Sequence, residues 1–395
     1  MTVETDLVAR GFFPREVQPP FASASLAKYC ASAGIPSALQ LLGNKWWTNP
    51  VRHNLARPGG LRRQLSVPNP AGHMRVSNAL AGGWKSDIAP LLATATIGAS
   101  TPSRSPVGRA VVASVRGHEL EERRAASRQG ARYLLHGDVL NFYPSIYTHS
   151  IDWAIHGKAV AKTALKSNKS TVGKLLDSAF SGAQDGQTVG IAIGPDTSLI
   201  VAECIMLRVE EALRAALPRL TEYRFWDDFE LTFASLRDVD DGLAALQEAV
   251  SSYELILNPR KTRIVELPEP QAHAGIFELG DWDLTSGKRQ RGQLLAYFDQ
   301  VYRRLSEDRG ATIAAFAVAR LRSAEILANN WPLLQHNLLQ LVVVEPTCAR
   351  NVSEIIARQA AGGAKIDIGG IARATEPLVT KHARLGHGSE IAWAV

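Results

Sequence analysis

Two adjacent acids, Asp227 and Asp228, interrupt the aromatic stretch YRFWDDFELTF (223–233). Neighbouring carboxylates repel one another and resist burial, and Asp is common in turns, so a solvated hairpin tip is one reading. The flanks supply another. Tyr223, Phe225, Phe229, Leu231 and Phe233 are apolar enough to draw both arms onto a core. That leaves the acids at the tip, where a divalent cation can compensate them. A third carboxylate, Asp138, stands near the end of the apolar run YLLHGDVL (133–140); taken alone it reads equally as a cap or turn before NFYPS. The three acids together have the composition of a two-metal site, in which ions roughly 4 Å apart stabilise both the attacking and the leaving oxygen of a phosphoryl displacement. In such chemistry the protein chiefly positions groups and neutralises charge.

The elements that must position these acids follow from periodicity. Residues 133–140 read as a strand, 150–165 and 196–216 as helices, 223–233 as a hairpin, 240–255 as a helix and 262–267 as a strand. That order predicts an α+β layer of sheet and helices. Upstream, 22–42 reads as one or two short helices, 61–68 as a strand, 98–108 as a loop and 117–129 as a helix. After residue 290 the pattern is helical to about 360, beginning with RGQLLAYFDQVYRRL (291–305) and its apolar positions Leu294, Leu295, Phe298, Tyr302 and Leu305. The expected divisions are 1–130, 131–290 and 291–395.

Composition bounds the rest. The chain has 395 residues, 46% of them hydrophobic, which suits two packed units. Its net charge of +6 is compatible with a polyanionic partner. Cys30, Cys204 and Cys348 are far apart, which argues against a disulfide framework or a structural Cys–zinc site and for a reducing compartment. The opening MTVETDLVAR lacks the basic-then-apolar run of a signal peptide, and no stretch is long and apolar enough for a membrane span. A cytoplasmic location without a membrane partner is expected. The basic run Lys158, Lys162, Lys166, Lys169 and Lys174 reads either as a solvated face or as a track for a nucleic-acid backbone. There is no GxxxxGKS/T phosphate loop and no paired Cys/His motif. His382 and His387 read as a structural pair rather than metal ligands.

Five stretches carry a family resemblance. GDVLNFYPSIYTHSIDWAIHGK (137–158) resembles the first palm motif of bacterial reverse transcriptases, closest to the abortive-infection-like, defence-associated members. GQTVGIAIGPDTSLIVAE (186–203) resembles their next motif, FWDD (225–228) their Tyr-x-Asp-Asp box, LNPRKT (257–262) the later lysine-bearing palm motif, and RRQLSVPNP (62–70) the finger segment before the palm. The set stands in the family's order and spans roughly residues 60–290. It implies a right-hand polymerase with fingers in 1–130, palm in 131–290 and a helical thumb or C-terminal domain in 291–395.

The resemblance implies an RNA-directed DNA polymerase-type nucleotidyltransferase that adds dNTPs to a 3′-hydroxyl or a protein hydroxyl. Asp138, Asp227 and Asp228 would hold two Mg ions, with Mn as a substitute. Lys261 would act on the leaving pyrophosphate, Tyr143 would gate against a 2′-hydroxyl, and Arg62 and Arg63 would grip the triphosphate. Gly190 and Gly194 would let the backbone approach nucleotide or template. The implied role is antiphage defence, with a DNA product, an RNA template or non-coding RNA, and a homo-oligomer or operon-encoded protein as associates.

Four departures stand out: Phe225 replaces the box tyrosine, Trp226 is bulky for the variable position, Val189 stands where relatives often have Gln or Asn, and Asp152 where many have Pro. Two alternatives stay open. One is a retron-like or diversity-generating reverse transcriptase copying a cognate RNA, against which the YTHSI-WA-HGK stretch argues. The other is a catalytically idle nucleic-acid-binding subunit, against which the three retained acids argue.

Overall fold

The computed structural model describes residues 2–395 except 35, 36, 38, 40–45, 116–117, 168–169, 271–277, 281, 283, 285–286 and 309–311. Lys169 of the basic run lies outside the described residues. Helix and strand are mixed, and the chain divides into two compact units. Residues 1–15, 21–52 and 66–271 form the first; 16–20, 53–65 and 272–395 form the second. Strands β1 (Val51–Ala56) and β2 (Arg62–Val67) pair as a two-stranded sheet, and β3 (Pro102–Arg104) pairs with β4 (Val111–Ala113).

The first unit is organised by a four-stranded sheet of β5 (Tyr133–Asp138), β6 (Thr221–Phe225), β7 (Asp228–Phe233) and β8 (Arg263–Glu266). The order across it is β6-β7-β5-β8, antiparallel throughout. In chain order the unit runs strand, helices, hairpin, helix, strand, a split β-α-β-β-α-β arrangement. Register fixes the faces, because side chains alternate along a strand. Leu135, Phe229, Leu231 and Phe233 are buried on the helix side. They join a core with helix α7 (Asp196–Ala216) and helix α8 (Leu236–Ser251). Burying each such side chain is worth about 1.5–3 kcal/mol, so a one-residue slip would forfeit several of these and expose the whole set. The opposite face carries His136, Asp138, Asp228, Glu230 and Arg263. Strand β8 is the outer member on one side, and Arg263, Ile264 and Glu266 are exposed there.

Earlier in this unit lie α1 (Val3–Arg10), α2 (Pro70–Gly83) and α3 (His118–Ser127). The helix expected over 150–165 is two: α4 (His149–His156) and α5 (Lys158–Lys166). The break is Gly157, whose φ of 85° ends the first helix; an isolated glycine inside an apolar pattern costs too little to announce this from sequence. Helix α6 (Val172–Gly182) follows. Lys158, Lys162 and Lys166 share the exposed side of α5, whereas Lys174 lies in the first turn of α6.

Among its described residues, the regular structure of the second unit is helical apart from its share of the β1–β2 hairpin. Its helices are α9 (Gln290–Glu307), α10 (Ile313–Leu321), α11 (Trp331–Val344), α12 (Ala349–Ala361), α13 (Ile368–Arg384) and α14 (Gly388–Ala394). Helicity continues past residue 360 to Ala394. The buried stripe of α9 is Leu294, Tyr297, Phe298 and Val301; Leu295, expected inside, is 52% exposed. No helix among the described residues is long and apolar enough to cross a membrane.

Candidate active site

Strand β5 ends on Asp138, and β7 begins on Asp228 directly opposite it. Trp226 and Asp227 close the β6–β7 hairpin between them. Like charges directly across a pair of strands destabilise a sheet, so the fold accepts a cost where these acids meet. The turn carries a second cost. Trp226 has φ of 57°, in the left-handed region, which costs a non-glycine residue roughly 1–2 kcal/mol.

Three contacts hold the turn in place. The Val139 amide donates to Asp227 O (3.3 Å), the Trp226 amide donates to Ser100 Oγ (2.8 Å), and Arg224 Nη1 donates to Trp226 O (2.9 Å). Arg224 is fully buried. Its Nη2 reaches Glu203 Oε1 at 2.6 Å and Glu210 Oε2 at 3.3 Å, and its Nη1 reaches Glu203 Oε2 at 3.2 Å. Burial alone would depress the Arg224 pKa, but the two glutamates outweigh it and hold the guanidinium above its ordinary range. Glu210 Oε1 in turn accepts from Thr96 N, Thr96 Oγ1 and Ile97 N. The acids' turn therefore rests on a buried ionic lattice rooted in α7.

The segment after α8 supplies the other side. Asn258 Nδ2 donates to Asp138 Oδ1 (2.9 Å), Lys261 Nζ donates to Oδ2 (2.7 Å), and the Asn258 amide donates to Asp138 O (2.7 Å). Both oxygens of Asp138, itself 5% exposed, are thus engaged. Lys261 keeps its side chain 63% exposed. Partial burial works against its ammonium, but the bond to Asp138 and the charges of Asp138, Asp228 and Asp227 outweigh this and raise its pKa.

Asp228 is pushed up to about 7 by removal from water on its protein side, by its hydrogen bond with Asp138, and by repulsion from Asp227 and Asp138. A carboxylate cluster that holds a proton near neutrality is short of positive charge. Its donors are hard oxygens, which suit Mg or Mn ions. A cleft of about 370 Å³ opens beside it, bounded by Asp138, Asp228, Glu230, His136, Arg124, Arg260 and Lys261.

The other residues singled out by sequence fall in several places. Tyr143 lies in the one-turn helix Phe142–Ser145, half-buried and edge-on to Phe142 with ring centroids 5.3 Å apart. Its carbonyl accepts from Ile191 N (2.9 Å), and Gly190 N donates to Ile146 O (2.8 Å), so the Tyr143 turn and the Gly190 segment are joined. Gly190 (φ 90°) and Gly194 (φ 126°) both occupy backbone that favours glycine. A Cβ would stand 3.1 Å from Pro144 O at Gly190 and 2.4 Å from Pro14 Cγ at Gly194. Each glycine thus has a packing reason of its own. Arg62 and Arg63 belong to the second unit. Arg63 is exposed; Arg62 grips both carboxylate oxygens of Glu390 and donates to Asn54 Oδ1 (2.8 Å). Of the departures, Asp152 is buried and accepts from Thr171 Oγ1 (2.9 Å), and Val189 is 58% exposed.

Four residues that bear on the site carried no signal read at the outset: Asn258, Arg224, Glu203 and Glu210. The last two had one, since acids seven residues apart share a face of a helix that is otherwise apolar there.

Neither a protein-family model nor a curated protein sequence matches the chain. Among solved structures it is similar to apo telomerase from Candida tropicalis, at 12% identity and a TM-score of 0.39, over 94% of this chain and 73% of that one. A likeness of that size carries no argument about fold or reaction.

Proposed function

We propose that the chain is a reverse-transcriptase-type DNA polymerase that performs two-metal nucleotidyl transfer from dNTPs. The observation that supports it most is the set of acids on the polar face of the sheet. Asp138 and Asp228 oppose each other on neighbouring central strands, Asp227 sits in the link, and Lys261 reaches Asp138. In this reading the first unit's sheet is the palm of a right-hand polymerase, and the helices after residue 290 are its thumb or a C-terminal domain. The role in antiphage defence, the DNA product and an RNA template rest on the resemblance of residues 137–158 to defence-associated members.

Asp138, Asp227 and Asp228 would hold two Mg or Mn ions, which when bound stabilise charge on the attacking 3′-oxygen and the leaving pyrophosphate. The chain's own residues prepare that site. Asn258 and Lys261 fix the Asp138 carboxylate, and the Arg224 lattice fixes the turn that carries Asp227. Lys261, mostly exposed, has N–H donors beyond the one given to Asp138, and these would meet an incoming phosphate. Tyr143 would stand against the sugar and disfavour ribonucleotides.

Incorporation of labelled dNTPs by the purified chain in Mg2+ tests the reading. Asp227→Asn is expected to cut incorporation by about a hundredfold or more, the scale on which loss of one electrostatic stabiliser cuts turnover, while the circular-dichroism spectrum is unchanged. Near-native incorporation by the folded variant refutes the assignment. No incorporation by either protein, on any primer or template offered, favours a nucleic-acid-binding subunit instead.

A further inference from the structure

The end of the chain brings together three side chains that the polymerase reading does not use. Helix α13 closes through Gly386, whose φ of 65° suits a left-handed cap. The Gly386 amide donates to Ala383 O (3.2 Å) and the His387 amide to His382 O (3.0 Å). This is the paired closure of a Schellman motif, in which the residue after the cap turns back over the last helical turn. That position usually makes an apolar contact; here it brings two imidazoles together, with His382 Nδ1 2.8 Å from His387 Nδ1. Three residues on, Glu390 points into the same spot. Its Oε1 lies 3.3 Å from His382 Nδ1 and 3.8 Å from His387 Nδ1.

We propose that His382, His387 and Glu390 form a binding site for one zinc-class divalent ion that clamps α13 to α14. Two imidazole nitrogens and one carboxylate oxygen converge, and the donor separations straddle the roughly 3.3 Å expected between ligands on a tetrahedral ion with bonds of about 2.0–2.1 Å. A shared hydrogen between the rings would account for the contact between them, but not for the carboxylate oxygen aimed at both. Glu390 is 1% exposed and His382 7%.

Arg62 holds both oxygens of Glu390 from behind. Each carboxylate oxygen has a second acceptor direction, so this pairing leaves room for an ion and fixes the carboxylate's orientation, the service that outer partners give metal ligands. The donor set of two nitrogens and one oxygen suits zinc better than magnesium or calcium. The spacing is His-x4-His-x2-Glu, and all four residues lie in the second unit.

The test uses the full chain, purified without an affinity tag or chelator. Asp227→Asn and Asp228→Asn are introduced into every sample so that the acid cluster is not the source of the signal. Elemental analysis is expected to find one zinc per chain, removable by chelator and restored by added Zn2+, with a rise in melting temperature on restoration. Co2+ in its place is expected to give the visible absorption of a low-coordinate nitrogen–oxygen site. His387→Gln, at the more exposed ligand, is expected to lose the zinc and the melting shift while keeping the helical spectrum. Retention of zinc by that variant overturns the site. So does a native chain that holds no zinc, shows no melting shift with Zn2+ and gives no Co2+ spectrum, which would leave the two rings joined by a hydrogen bond alone. Should His387→Gln fail to fold, the Co2+ spectrum of the native chain decides.

Discussion

Arg224→Met removes a cation shared by two buried glutamates. Glu203 and Glu210 have side chains 2% and 3% exposed, and Arg224 is fully buried. Breaking a buried pair by deleting one partner costs about 3–5 kcal/mol, because the remaining charge is left uncompensated. Here two carboxylates lose their shared cation, and Trp226 O loses a donor worth roughly 1 kcal/mol. Glu210 keeps its bonds from Thr96 and Ile97, which limits the loss on that side. The upper part of the 3–5 kcal/mol range is therefore expected. For a domain of this size 1 kcal/mol moves the melting temperature by about 2–4 °C, so the drop should be on the order of 10 °C. The assay is a thermal melt followed by circular dichroism in chelator, with Arg224→Met beside the double change Arg224→Met, Glu203→Gln. The double variant should recover part of the loss, because it removes one stranded charge. A drop below about 3 °C for the single variant, or no recovery in the double, would refute the reasoning. Below its melting temperature Arg224→Met should also incorporate nucleotide more slowly, because the left-handed turn at Trp226 has lost an anchor.

Two further outcomes are expected. Tyr143→Ala should raise the use of ribonucleotides relative to deoxynucleotides, read as a ratio of kcat/KM values; a flat ratio would make Tyr143 a packing residue only. Burial pushes the His73 pKa down to about 4, well below the ordinary 6.5; its Nε2 donates to Leu7 O (3.0 Å). A folded pKa below the unfolded one gives stability that is complete above pH 6.5 and is lost as pH falls toward 4, by at most about 3 kcal/mol. Urea midpoints at pH 7 and pH 5 should therefore differ more in the native chain than in His73→Gln, and equal differences would refute the assignment of this slope to His73.

The acids were legible because their signal is local. Asp227 and Asp228 are adjacent and flanked by aromatic strand residues, and Asp138 ends an apolar run, so local pattern put them on a hairpin tip and a strand end, and the family resemblance marked them as a set. The strands from Tyr133 to Glu266 and the two longer helices between them were legible for the same reason, alternation and apolar stripes being short-range patterns, whereas the break at Gly157 and the helix Val172–Gly182 were not. What supports the acids was not. Arg224 follows Glu203 by 21 positions and Glu210 by 14, and only the docking of β6 against α7 makes them neighbours. Asn258 sits in a stretch whose lysine drew attention, and an Asn before Pro reads as an ordinary turn former. The histidine pair near the C-terminus was visible, but Glu390 joins it only because Gly386 folds the chain back at the end of α13. Tertiary contacts of this kind have no period to read.

The outer strand of the sheet has a consequence for handling the protein. An unpaired strand edge is a template on which a second molecule can extend a sheet, and proteins blunt such edges with shortness, charge and proline. Strand β8 has all three: it is four residues long, exposes Arg263 and Glu266, and runs into Pro268 two residues past its end. Its exposed Ile264, at 42%, is the weak point. Changes that remove those flanking charges, such as Arg263→Val with Glu266→Val, would turn a guarded edge into a sticky one. The first symptom would be concentration-dependent precipitation rather than a lower melting temperature.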